Sequence, residues 1–139
     1  MRLDLYQAET ARIAAEQRAI LNAARSIIGG GRYLIPLEQS DVLHALQIVT
    51  ENAIGKAKHW LKMNNLVIPV SAYGAFKALA NADEIDHQAI PEWNAVIGLR
   101  DRILHDYMNI EFDQVITMIK ERREQFIIDF LLLNGTTEQ

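Results

Sequence analysis

The sequence predicts an all-α protein, an antiparallel four-helix bundle with an additional short helix. Apolar residues recur at helical spacing along four long stretches, and no segment shows the strict alternation of a half-buried strand. Only three prolines and seven glycines punctuate 139 residues, half of which are hydrophobic. That composition belongs to a compact helical chain and not to a disordered one.

The first helix is expected from about Asp4 to Ile28. Tyr6, Ile13, Ile20 and Ile27 recur every seven residues, and Leu21, Ala24 and Ile28 widen the same stripe. Gly29, Gly30 and Gly31 end it. After Pro36, the stretch from about Leu37 to Met63 sets Val42, Ala45, Leu46, Val49, Ala53, Ala57, Trp60 and Leu61 on one broad face, a second long helix closed by Asn64 and Asn65. Pro69 breaks the chain, and Ser71 is placed to cap a short helix over about Ala72 to Asn81. Asp83 or Asp86 can cap the next, from about His87 to Asp106, which tolerates Pro91 in its first turn. The last helix is expected to run unbroken from about Phe112 to Leu133, through Val115, Ile116, Ile119, Phe126, Ile127 and Phe130, until Asn134 and Gly135 stop it. Val67 to Val70 is too short and too close to Pro69 to carry a sheet.

No repeat, low-complexity tract or linker divides the chain, so residues 1–139 are expected to form one helical domain. A chain of this length buries roughly two thirds of its unfolded surface and needs no disulfide or metal staple. It has no cysteine, which excludes thiol nucleophiles and thiolate metal sites. The start, MRLDLYQAETARIAAEQR, has no signal-peptide core, and no apolar run approaches a bilayer span, so a cytoplasmic protein without a membrane partner is expected. A net charge of -4 argues against a protein that coats nucleic acid, while leaving room for a small cationic site.

The segment Arg100 to Tyr107, RDRILHDY, carries the chemistry. A permanent cation, a switchable base and a phenol on about two helical turns suit the handling of phosphate. At 100° and 1.5 Å per residue, Arg100 and Tyr107 return to nearly one face about 10 Å apart, whereas His105 points roughly 140° away from Arg100. Arg100 and His105 on one rigid helix do not converge on a single phosphate, but a second copy across a two-fold axis can supply the missing partner. Asp101 precedes His105 by four residues, the spacing at which helical side chains meet, so its carboxylate can fix the imidazole tautomer. Spacing alone also fits two ordinary surface pairs, Asp101 with His105 and Arg102 with Asp106.

The chain resembles the HEPN superfamily, in particular HepT-type toxins of prokaryotic toxin-antitoxin pairs. The resemblance covers nearly the whole length: a long first helix, a second with Glu51 and Ala53 at its middle, the segment AFKALANADEID, and GLRDRILHDY. The family's Arg, following polar residue, His and Tyr fall on Arg100, Asp101, His105 and Tyr107; the second is often Asn in relatives, and Asp makes it a carboxylate instead of an amide donor. The resemblance implies a metal-independent endoribonuclease, active without a cofactor as a homodimer or higher even-numbered oligomer, with RNA as substrate and transfer RNA one candidate. His105 would act as base on a ribose 2'-OH or acid on the leaving 5'-oxygen, while Arg100 holds the phosphorane charge. It also implies that Tyr107 accepts nucleotidyl groups from a minimal nucleotidyltransferase antitoxin, which silences the nuclease. A different reading is a non-catalytic subunit that presents substrate to that transferase, and a plainer one is an inert helical interaction module.

The remaining candidates have ordinary explanations. His44, His59 and His87 lack ligand spacing, so no metal site is expected. Trp60 lies on the apolar stripe of its helix, whereas Trp93 fits either core packing or base stacking. The KERRE run, Lys120 to Glu124, reads as a solvated helical face with ion pairs, with RNA contact by Lys120, Arg122 or Arg123 as the alternative. Gly98 inside a helix suggests close approach of another helix, at a dimer seam or in the core.

Overall fold

The computed structural model describes residues 3–133, and their regular structure is entirely helical: α1 (Leu3–Gly29), α2 (Pro36–Met63), α3 (Ala72–Asn81), α4 (Ile90–His105), α5 (Phe112–Lys120) and α6 (Gln125–Leu132), with single 3-10 turns at His87–Ala89 and Tyr107–Asn109. In α1 the buried line is Thr10, Ala14, Leu21 and Ala24. The seven-residue series expected to face the core flanks that line: Tyr6, Ile13 and Ile27 are half-buried and Ile20 is 36% exposed. Small residues at the centre let α1 lie close to α2, so the large ones straddle the contact instead of filling it.

Local chemistry sets the helix ends. Pro36 opens α2, and the Glu38 carboxylate accepts from the Ile35 N–H at 2.9 Å while pairing with Arg32 at 2.8 Å. Ser71 caps α3 by accepting from the Gly74 N–H at 2.9 Å. Gly74 is required there: a Cβ would stand 2.8 Å from Ser71 Oγ and 2.9 Å from Pro69 Cβ. Four helices, α1, α2, α3 and α5, end in the same way, with Gly31, Asn65, Asp83 and Arg122 at positive φ and the next N–H reaching five residues back. Asp86, not Asp83, caps the segment leading into α4, which begins at Ile90 with Pro91 in its first turn.

Antiparallel neighbours follow from cross-helix contacts. Tyr6 near the start of α1 stacks on His59 near the end of α2, and the Gln7 amide donates to the Leu131 carbonyl of α6. At the other end of the bundle, Tyr107 just past α4 meets Ser40 near the start of α2. α3 rests on α2 and α4. Two adjoining apolar clusters fill the interior. One gathers Trp60, Phe76, Trp93, Ile97 and Phe130, with Phe76 and Trp93 stacked 4.0 Å apart; the other gathers Leu21, Leu43, Leu46, Leu99, Ile103 and Ile119 beneath the end of α4. Trp93 is thereby a core residue and not a stacking platform.

The predicted last helix is two helices. Arg122 adopts φ 56° and the chain turns between α5 and α6, so the KERRE run leaves the helix after Lys120 and is a turn from Glu121 to Glu124. A buried pair explains the break. Glu124 is sealed in the interior and forms an ion pair with Arg25 of α1, whose Nε donates to the Ile119 carbonyl at 2.8 Å. Asn134 and Gly135, expected to stop the last helix, lie outside the described residues.

A second buried charge was not foreseen. Lys56 of α2 is 1% exposed, and its ammonium donates to the carbonyls of Phe130, Leu131 and Leu133, at 2.8, 3.2 and 2.5 Å. It serves as a side-chain cap for the C-terminal end of α6.

Candidate functional site

Side chains on one face of α4, Trp93, Val96, Ile97, Leu99 and Ile103, anchor it in both apolar clusters. This anchoring fixes the axis on which the polar groups are carried. Arg100 lies toward the buried side, with its side chain 21% exposed. Its Nε is 3.3 Å from Asp101 Oδ1, a charge contact only, because the N–H does not point at the oxygen. The same Nε is buried and donates to nothing among the described residues, while the side chain as a whole keeps 21% of its surface exposed.

Asp101 therefore does not orient His105. The expected contact over four residues is absent among the described residues, because the carboxylate turns to the guanidinium instead. Nor do Arg102 and Asp106 pair: the Asp106 carboxylate accepts from the Asn109 amide at 2.6 Å. His105 is the exposed last residue of α4.

Tyr107 does not share a face of α4 with Arg100. The helix ends at His105, Asp106 takes φ -148° and ψ 41°, and Tyr107 opens the 3-10 turn that follows. Its ring is about half-exposed, and its hydroxyl lies 3.1 Å from Ser40 Oγ of α2. The phenol is thus held across the helix boundary by a residue from a distant part of the chain. Ser40 carries no sequence signal for this role, being one of several polar residues in the exposed first turns of α2.

Of the other histidines, His44 lies one turn along α2 from Ser40. His44 and His87 are exposed on separate elements, and His59 stacks on Tyr6 with its pKa lowered by burial and nearby positive charge. Among the described residues no three His, Asp or Glu side chains gather closely enough to hold a metal ion. Gly98 has no helix pressed on it: a Cβ would find the Tyr73 hydroxyl at 3.7 Å and the Arg102 guanidinium at 3.8 Å, both ordinary contacts.

Comparisons with known proteins cover most of the chain. The family described as Ribonuclease HepT-like matches residues 34–130, which include Arg100, Asp101, His105 and Tyr107. The mRNA nuclease HepT of Shewanella oneidensis is 30% identical over 88 residues, covering 63% of this chain and 66% of that protein, just under two thirds of its length. Among solved structures, the tri-AMPylated HEPN toxin of the same organism, in complex with an MNT antitoxin, superposes with a TM-score of 0.73 at 24% identity, over 88% of this chain and 95% of that one. A toxin-antitoxin structure with AMP-PNP gives 0.71 at 22% identity, over 94% and 99%.

Proposed function

Since this chain belongs to the ribonuclease HepT-like family, we propose that it is the toxin of a toxin-antitoxin pair, an endoribonuclease that needs no metal, acts as a dimer and is silenced by nucleotidylation of Tyr107. The observation that carries the reading is that one helix carries both Arg100, whose buried Nε makes no hydrogen bond, and the exposed His105 at its end. A guanidinium short of an acceptor is ready for phosphate, and it is most useful where charge builds up in the transition state.

The chemistry needs only groups this chain owns. An imidazole takes the proton of a ribose 2'-OH as that oxygen attacks phosphorus, and the 5'-oxygen departs with a proton delivered by an imidazolium. Arg100 holds the charge on the equatorial oxygens. Arg100 and His105 are five residues apart on one helix and diverge, so the working cleft combines the arginine of one protomer with the histidine of its mate. Asp101, 3.3 Å from Arg100, braces the guanidinium and does not set the histidine tautomer.

Tyr107 is the modification site. Its phenolic oxygen attacks the α-phosphorus of a nucleoside triphosphate held by a minimal nucleotidyltransferase antitoxin, pyrophosphate leaves, and the phenolic proton is lost. The ester places negative charge and bulk beside the cleft, where the RNA backbone must pass. No described helix is long and apolar enough to cross a membrane, which suits action in the cytoplasm, where RNA and antitoxin are found.

The test is expression without the antitoxin. Wild-type protein arrests growth and degrades RNA, whereas Arg100→Ala and His105→Ala each abolish both while unfolding at the wild-type temperature. Undiminished toxicity in both variants rules out the mechanism, and stable RNA with an intact antitoxin complex points to a non-catalytic presenting subunit. With ATP and the cognate transferase, mass spectrometry should show adenylyl additions on wild type and none on Tyr107→Phe.

A further inference from the structure

Beside this site, α4, the connection after Tyr107, α5 and the start of α6 enclose a groove of about 440 Å³. Val96, Leu99, Val115, Met118 and Phe126 line it with apolar surface, and Arg102 and Arg123 stand among its polar groups. We propose that the groove seats a nucleobase of the RNA chain next to the scissile phosphate, with Arg102 and Arg123 contacting the adjoining backbone. The inference rests on the nuclease reading and extends it to substrate selection.

Size, charge and position each support that occupant. The volume lies in the range of ligand pockets. An apolar slot containing an aromatic ring, with cationic groups beside it, matches a base and its phosphate. The Arg102 side chain makes no ion pair or hydrogen bond among the described residues, and the Glu121 carboxylate is 3.8 Å from Arg123 with both side chains exposed. Their charges are thus open to an outside anion. Arg102 precedes His105 by three residues and so shares its side of α4, whereas Arg100 points about 160° away from it, and Asn109, also in the lining, is two past Tyr107. A strand with one phosphate at the cleft can therefore set its neighbour here. An adenylyl group on Tyr107 is a poorer fit, since the phenol is turned toward Ser40 on α2.

The polar lining also implies selectivity. Glu92 and Glu111 present carboxylates, which accept from the exocyclic amino groups of adenine, cytosine or guanine, whereas uracil offers only its N3–H.

The test uses the full-length His105→Ala protein, which binds RNA without cutting it, and short oligoadenylate, oligocytidylate and oligouridylate probes. Two further variants are made in that background: Ala95→Trp, which fills the groove from an exposed helical position, and Arg102→Gln. The parent should favour the adenylate and cytidylate probes. Either variant should weaken binding about tenfold and erase the difference between bases, with unchanged thermal unfolding. Equal affinities and base ranking in parent and variants overturn the groove assignment, and if wild type still cuts RNA the nuclease reading survives alone. A wild type that neither cuts nor binds RNA overturns both. Variants that bind RNA normally but lose the antitoxin mark the groove as a protein-docking surface and likewise overturn the proposal.

Discussion

Arg100 and Lys56 are both cations drawn toward the interior, with opposite consequences. Arg100 keeps a donor unused and so favours a ligand, whereas Lys56 spends its donors on three carbonyls and so favours the fold. Removing the ammonium strands those carbonyls, and Lys56→Met should cost about 2–3 kcal/mol in urea unfolding, a result that near-wild-type stability would refute. Burial pushes the Lys56 pKa down to about 8 from 10.5. The sign follows directly: between those values the unfolded chain holds a proton that the folded chain has released, so stability contributed by this group rises with pH across the window. Wild type should accordingly gain stability from about pH 8 to 10 relative to Lys56→Met, as measured by unfolding midpoints at each pH. A difference that is flat or falls over this range contradicts the buried-lysine account.

The helix ends show how local chemistry and tertiary demand compete. At Gly31 and Asn65 the left-handed residue is of a type that tolerates positive φ, and the sequence advertises the stop. At Arg122 it does not. An arginine in that conformation costs roughly 1 kcal/mol relative to glycine, a strain accepted because the turn delivers Glu124 to Arg25. Arg122→Gly should therefore stabilise the protein by about 1 kcal/mol without altering RNA cleavage. Destabilisation would mean that the Arg122 side chain contributes more than its backbone strain removes. The same competition explains why the last helix was legible as amphipathic and illegible as broken. Apolar spacing runs through both halves, and the reason for the turn is a cation more than ninety positions earlier in the chain.

The whole molecule places its candidate chemistry at one end, above the cluster of Leu43, Leu46, Leu99 and Ile103. One protomer offers an arginine and a histidine that diverge along a helix, so two protomers are needed for a working pair. Mixing is the direct check. Arg100→Ala and His105→Ala proteins, each inactive alone, should on subunit exchange recover about a quarter of wild-type cleavage, because half the dimers are mixed and each mixed dimer holds one intact pair. No recovery despite demonstrated exchange would place arginine and histidine of the same protomer in one site.

The sequence alone determined the all-helical class, the spans of the first four helices, the stops at Gly31 and Asn65, the Ser71 cap, and the family, since each is written in the spacing of nearby residues. Tertiary structure decided what those neighbours could not: that Asp101 turns to Arg100, that Tyr107 leaves the helix for Ser40, that Trp93 is core, and that Lys56 and Glu124 are buried. Periodicity reports which face of an element is apolar. It is silent on which polar group from a remote segment arrives to meet an unsatisfied donor or acceptor, and that pairing sets where each polar side chain in this protein comes to rest.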